Sequence, residues 1–238
     1  MDKKDSSSQS EEKDFKNCSI TTLKEYSLKL WQPKDGYRFS LDALLLSEFI
    51  RLKPNEKIID LGTGCGIIAI LLARKGAKLI HGIEIQKRLF VLASKNVEIN
   101  SLQKRIKIIH ADIKDLRFKY KAGSFDRVVT NPPYRSVGSG RMCPKNEEAL
   151  ARHEILVTLK DILSVSKYLL NPGGLIDIIY PADRVSKLIH EMKNFRLEPK
   201  ILQFVHPYKN MVARLVLVEG KKDAKEETKV LEPIFITK

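Results

Sequence analysis

Between Ser40 and Glu219 the apolar positions fall into short runs of two kinds, and the two kinds alternate. Residues 57–61, 78–83, 106–110 and 125–130 are apolar stretches of five or six residues, the length of buried parallel strands. Between them, 67–75 and 88–100 carry patterns of helical length, the first stopped by Gly76. Ser40 stands where an N-cap would precede an apolar helix reaching about Arg51, and Pro54-Asn55 then punctuates the chain. A long helix is expected over 148–170, ended by Asn171-Pro172-Gly173-Gly174, then a strand over 175–180 and a helix over 182–194. Two more strands, 201–206 and 213–219, have a connection so short that they must pair antiparallel. The charged stretch 221–229 reads as a loop before a last short strand over 231–237. The pattern predicts an α/β fold: a doubly wound, mostly parallel seven-stranded sheet with an antiparallel C-terminal edge. Residues 1–16 read as a disordered polar tail, 17–54 as an N-terminal cap and 55–238 as the sheet domain.

Composition sharpens the expected partner. Lys and Arg number 43 against 29 Asp and Glu, a net charge of +14. That excess favours a polyanion, nucleic acid ahead of a membrane surface, although a basic surface that binds nothing has the same composition. Cys18, Cys65 and Cys143 are odd in number and far apart, so neither a disulfide framework nor a zinc site is expected. The first 17 residues lack an apolar core of the secretory kind, and no run reaches membrane-spanning length. A cytoplasmic protein is expected.

The first strand-to-helix turn reads Asp60-Leu61-Gly62-Thr63-Gly64-Cys65-Gly66. Small residues let the backbone pass close to a ligand, and the helix start offers free N–H groups. The glycine spacing is G-x-G-x-G, with Ile67 where a dinucleotide fingerprint would place its third glycine. An ionised Asp60 would repel a pyrophosphate but suits a ligand with a cationic amino-acid end. Glu84, 24 residues on, ends the second strand, where a carboxylate can accept from both ribose hydroxyls of an adenosine. Asp112 ends the third strand and can accept from an adenine amine, while the Ile113 N–H donates to the ring. A helix cap explains a strand-end Asp equally well, and a tight turn explains the glycines. The set resembles the class I methyltransferase family. That resemblance implies S-adenosylmethionine as cofactor, with Asp60, Gly62, Gly64, Glu84 and Asp112 in the family's binding roles. The expected cofactor site also includes Arg38, Leu61, Gly66, Ile85, Ile113 and Asn131.

The strand over 125–130 feeds into Asn131-Pro132-Pro133-Tyr134. Consecutive prolines stop the strand and fix the backbone, leaving the Asn131 side chain and the Pro132 carbonyl as rigid acceptors. A planar amino group can donate both hydrogens to them. Pro133 has no N–H to compete, and Tyr134 offers a flat face to a base or amide plane. A proline turn whose Asn bonds its own backbone is the plainer alternative. The motif resembles amino-methyltransferases acting on adenine N6, guanine N2 or a glutamine amide, and it does not choose among them.

Other features bear on that choice. About 55 residues precede the first strand, too few for the separate helical domain of release-factor glutamine methyltransferases. The segment 35–46 lies where amino-methyltransferases cover the cofactor's methionine end, and Arg38 can pair with its carboxylate. This stretch, Asn131 to Arg135, Arg152-His153-Glu154, residues 170–174 and Val205-His206-Pro207 together resemble the bacterial tRNA1(Val) adenine-37 N6-methyltransferase family over about residues 25–220. The resemblance implies a tRNA partner, with methylation of an adenine beside the anticodon of a valine tRNA. His153-Glu154 could suggest acid–base or metal chemistry, but is expected to orient the helix after the acceptor loop. Residues 135–147, with Arg135, Arg141 and Lys145, form either a mobile loop around a flipped base or a solvated loop. Lys221, Lys222 and Lys225 either touch RNA phosphates or solvate a turn. No dimer signature is present, and a monomer is expected. The alternatives are another amine acceptor (rRNA guanine N2, rRNA or DNA adenine N6, a release-factor glutamine) or a non-catalytic RNA-binding protein. The intact glycine loop and proline motif count against the latter.

Overall fold

The computed structural model describes residues 17–34, 40–132 and 157–236. The chain opens with an antiparallel hairpin, β1 (Cys18–Leu23) and β2 (Leu28–Pro33), followed by α1 (Leu41–Phe49). The alternating layer runs β3 (Lys57–Leu61), α2 (Ile67–Arg74), β4 (Leu79–Glu84), α3 (Lys87–Ile99), β5 (Ile106–His110), α4 (Leu116–Lys119) and β6 (Phe125–Thr130). After the undescribed stretch come α5 (Leu159–Leu169), β7 (Leu170–Pro181), α6 (Val185–Asn194), β8 (Leu197–His206), β9 (Leu215–Lys222), β10 (Lys229–Val230) and β11 (Ile234–Phe235).

The seven expected strands form one sheet in the order β8-β9-β7-β6-β3-β4-β5, and two-residue strands β10 and β11 extend its β8 edge. Among the described residues only β9 runs against its sheet neighbours; β10 and β11 pair parallel to β8. Adjacent strand residues face opposite layers. Ile58, Val129, Ile179 and Leu217 pack with α1, α2 and the hairpin, while Ile59, Val128, Ile178 and Val218 pack with α5 and α6. Covering both faces is why these strands read as nearly continuous apolar runs. α2 is buried from Ile67 to Ala73, so it lacks the one-sided pattern of a surface helix.

Several expectations are corrected. Ser40 occupies the N-cap position of α1, but its side chain makes no capping hydrogen bond. The hairpin was not anticipated, although Leu28 and Leu30 are fully buried either side of exposed Lys29, a period of two. Burying each leucine contributes about 2 kcal/mol, which holds the hairpin to the domain. The long helix expected over 148–170 does not run unbroken: α5 starts at a capping box, where Asp161 N–H donates to Thr158 Oγ1 (3.2 Å) and Thr158 N–H to Asp161 Oδ2 (2.9 Å). Its first part, 148–156, lies outside the described residues. Asn171-Pro172-Gly173-Gly174 is not a connecting turn but the irregular start of β7, with Leu170 already opposite Phe125. The helix expected from Ala182 opens as a 3₁₀ turn; of the strand expected over 231–237 only Ile234–Phe235 forms a strand among the described residues, and β10 (Lys229–Val230) begins within the stretch expected as a loop.

At the sheet end away from the glycine loop, fully buried Arg127 is paired with Asp177 and with Glu56 (3.0 Å), and donates to the Arg51 carbonyl (3.0 Å). Burial alone would lower its pKa, but Asp177 and Glu56 raise it and keep it charged. The network ties the chain entering β3 to β6 and β7. Among the described residues no helix is long and apolar enough to cross a membrane.

Candidate active site

The C-terminal ends of β3, β4, β5 and β6 meet along one sheet edge, where ligands of doubly wound folds sit. Leu61, the buried last residue of β3, lies opposite Ile83 on one side and Thr130 on the other, and Glu84 lies opposite His110. The glycine loop leaves β3 at this edge. Gly62 and Thr63 N–H groups both donate to the Ile83 carbonyl (3.0 and 2.9 Å). Gly66 is the N-cap of α2 with φ +87°, and a β-carbon there would stand 3.3 Å from Ala93 Cβ. Glycine is favoured by the left-handed backbone, and the close approach of α3 leaves little room for a β-carbon.

Two buried carboxylates shape the electrostatics. Asp60 is fully buried; Oδ2 accepts from the Thr63 hydroxyl (2.6 Å), while Oδ1 has no hydrogen-bond partner among the described residues. Burial pushes its pKa up to about 7, the Thr63 hydrogen bond pulls it back, and the nearby Glu84 charge pushes it further. Glu84 Oε2 accepts from Gly64 N–H (2.9 Å) and Oε1 from Gln86 N–H (2.8 Å). Burial raises its pKa too, against the lowering effect of those backbone donors. An orphaned, desolvated oxygen on Asp60 fits a ligand bringing a cationic donor. Glu84 is already oriented, and its remaining lone pairs can accept from a diol.

Asp112 caps the 3₁₀ turn after β5, with Oδ1 accepting from Lys114 N–H (2.9 Å). The cap is real, but a carboxylate has capacity for further donors. Ile113 is half-buried beside it, and the Ile85 carbonyl lies 2.8 Å from His110 Nε2. Half-buried Asn131 and buried Pro132 follow directly on β6, whose last residue Thr130 donates its hydroxyl to the Leu61 carbonyl (3.0 Å). That bond and the Leu61–Thr130 register bring Asn131 out of the sheet beside Gly62. Arg38, Pro133, Tyr134, Arg135, Arg141, Lys145 and the pair His153-Glu154 lie outside the described residues. Of the three lysines considered for RNA, Lys222 is half-buried and donates to the Leu170 carbonyl (2.5 Å), so its ammonium is used inside the fold.

Three contributors were missed by the sequence reading. Thr63 holds one oxygen of Asp60. Gly82 gives the loop room, since a β-carbon there would lie 2.8 Å from Ile108 Cδ1 and 3.0 Å from Thr63 Oγ1. Asn96, fully buried on α3, donates to the Cys65 carbonyl in the glycine loop (2.9 Å) and to the Trp31 carbonyl (3.0 Å), and accepts from Trp31 N–H (2.6 Å). Asn100, one turn on, pairs in the same way with both backbone groups of Lys29 but does not reach the loop. The only signal was two asparagines four apart on the buried side of a helix, where an unpaired amide is costly.

Residues 41–180, more than half of the chain, match the family model described as Methyltransferase small domain. The chain belongs to this family, and it is an S-adenosylmethionine-dependent N-methyltransferase. It is 28% identical over 194 residues to the tRNA1(Val) (adenine(37)-N6)-methyltransferase of Parabacteroides distasonis, covering 80% of this chain and 79% of the relative. It is 30% identical over 182 residues to the protein of the same name from Shewanella halifaxensis, covering 74% and 73%. The fold is similar to that of a predicted O-methyltransferase from Agrobacterium tumefaciens, with a TM-score of 0.66, 20% identity and coverage of 82% and 87%.

Proposed function

We propose that this chain methylates the exocyclic N6 of an adenine in tRNA, specifically adenine 37 of a valine tRNA, as a cytoplasmic monomer. The observation that carries the chemistry is the placement of Asn131-Pro132 at the end of β6, beside the glycine loop and the acidic ends of β3 and β4. The named activity of the two relatives supports tRNA and adenine as the acceptor.

S-adenosylmethionine supplies a methyl group on an electrophilic sulfonium. Asp60 would face its cationic amino-acid end, Glu84 would take the ribose hydroxyls, and Asp112 with the Ile113 N–H would read the adenine. The loop backbone at Leu61, Gly62, Gly64 and Gly66, with Ile85, would close around it, and Arg38 is proposed to pair with its carboxylate. The Asn131 amide oxygen and the Pro132 carbonyl accept the two hydrogens of the acceptor amine and aim its lone pair at the methyl carbon. Once methylated, the acceptor nitrogen would lose its proton to water, so the site needs no strong general base. Pro133 and Tyr134 are proposed to complete the cradle, with Tyr134 stacking on the base.

Unfractionated tRNA, ribosomal RNA and a release factor, each incubated with the protein and labelled cofactor, test the acceptor class. Label is expected in tRNA alone; label in the release factor would reverse the reading. Asn96 gives a further prediction. Asn96→Ala frees the Cys65 carbonyl and should weaken cofactor binding about tenfold by calorimetry, because a loosened loop must be ordered on binding. Asn100→Ala loses comparable hairpin bonds without touching the loop and should leave cofactor affinity unchanged. Equal effects of the two would reduce Asn96 to a general packing residue.

A further inference from the structure

The geometry points to the connection between β8 and β9, residues 207–214, as a docking surface for the unpaired RNA strand that carries the target base. This rests on the proposed tRNA reading and adds the surface on which the RNA lies.

The connection rises from the same sheet edge as Asn131. β6 ends at Thr130 opposite Ile178, while β7 continues three residues further to Pro181, opposite the first residue of β9. Leu215 in turn lies opposite Val205, near the end of β8. The loop therefore stands two to three strand spacings from β6, about 10–15 Å to the side, and slightly above it. A few nucleotides of unpaired strand span that gap.

The loop is held, not loose. Arg214 N–H donates to the Val205 carbonyl (2.8 Å) and Ala182 N–H to the Arg214 carbonyl (3.0 Å). Met211 N–H donates to the Tyr208 carbonyl (3.1 Å), and His206 Nδ1 lies 2.6 Å from the Met211 carbonyl. On this frame the side chains a soluble surface normally hides are displayed: Tyr208 is 52%, Met211 44% and Val212 81% exposed. Lys209 and Arg214 are exposed among them. From Pro199 to Val218 the sequence holds no acidic residue, and the neighbouring 3₁₀ turn adds one of each sign, Asp183 and Arg184. An aromatic face, apolar tips and a loop whose own charges are all cations match the chemistry of a single-stranded nucleic acid: a base stacks on Tyr208 and Met211, and phosphates pair with Lys209 and Arg214. A protein partner would use the apolar tip without needing that charge bias.

The test measures binding of unfractionated tRNA over a salt series, beside cofactor binding, for the unaltered protein, Tyr208→Ala, Tyr208→Trp and Lys209→Ala. Tyr208→Ala should weaken tRNA binding about tenfold with an unchanged salt slope, and Tyr208→Trp should restore it. Lys209→Ala should weaken it about threefold and reduce the slope by about one. Cofactor affinity should stay the same throughout, because the loop contributes no cofactor contact. Normal tRNA affinity in both alanine variants, with the unaltered protein binding in a salt-dependent way, overturns the docking surface and leaves the tRNA reading standing. No tRNA binding by the unaltered protein removes that reading and this surface with it. A Tyr208→Ala protein that instead changes its sedimentation without RNA assigns the loop to a protein contact and also overturns the proposal.

Discussion

Asn131→Ala is expected to slow methyl transfer about 10²- to 10³-fold while cofactor affinity changes less than about twofold. The lone pair of an aromatic amine is drawn into its ring, and attack requires that nitrogen to become tetrahedral and positive. Hydrogen bonds from its two N–H groups strengthen as that charge develops, so the acceptors lower the barrier more than they tighten binding. Removing the amide leaves the Pro132 carbonyl in place, which is why some turnover should persist. The bond from Thr130 to the Leu61 carbonyl does not involve the Asn131 side chain, so the strand end and the glycine loop should be unaffected. Asn131→Asp keeps an acceptor oxygen and should retain clearly more activity than the alanine variant. Single-turnover rates with saturating cofactor separate these cases. Equal losses in the two variants, or turnover unchanged by alanine, would remove Asn131 from the acceptor site.

Asp60→Asn should abolish measurable cofactor binding and, at pH 8, make the cofactor-free protein more stable. Burial and Glu84 hold the folded pKa of Asp60 at about 7, against an ordinary value of 3.8. A carboxyl whose folded pKa is raised favours folding most below its unfolded pKa. That contribution is lost as pH rises from about 4 to about 7, by about 4 kcal/mol in all. Asparagine never ionises and escapes the loss. For a chain of this length the melting temperature at pH 8 should therefore rise by on the order of 10 °C, with little difference near pH 4. If Asp60 holds the cationic end of the cofactor, as proposed, binding draws on the ionised form. In the unaltered protein, affinity should rise about tenfold per pH unit up to about 7 and then level, with a proton released on binding below that pH. Added cofactor should raise the melting temperature of the unaltered protein and not of the variant. A variant no more stable at pH 8, or one still stabilised by cofactor, contradicts the assignment of Asp60.

The β/α alternation and the strand ends carrying Asp60, Glu84 and Asp112 were legible because each rests on local pattern: apolar runs, glycine punctuation and acids after strands. β1 and β2 were not, because their six-residue alternation is weak and their outer edge is satisfied by Asn96 and Asn100, which are 65 to 71 residues distant in sequence. The true start of α5 was present as Thr158 and Asp161, but a continuous apolar pattern outweighed it. Residues 170–174 misled because Pro and Gly usually end an element, whereas here they form an irregular strand start fastened by Asn171 Nδ2 donating to Asp126 Oδ1 (2.6 Å). Gly82 and Arg127 depend on neighbours across the sheet, which no local window contains.

We propose that this chain places a methyl group on the N6 of adenine 37 in a valine tRNA. The most direct test is mass spectrometry of nucleosides and mapped fragments from individual tRNAs after incubation with the protein and isotopically labelled cofactor. Labelled N6-methyladenosine is expected in the anticodon-loop fragment of a valine tRNA, with far less from the Asn131→Ala protein over the same time. Label on guanine, on another adenine, or in no tRNA at all would contradict it.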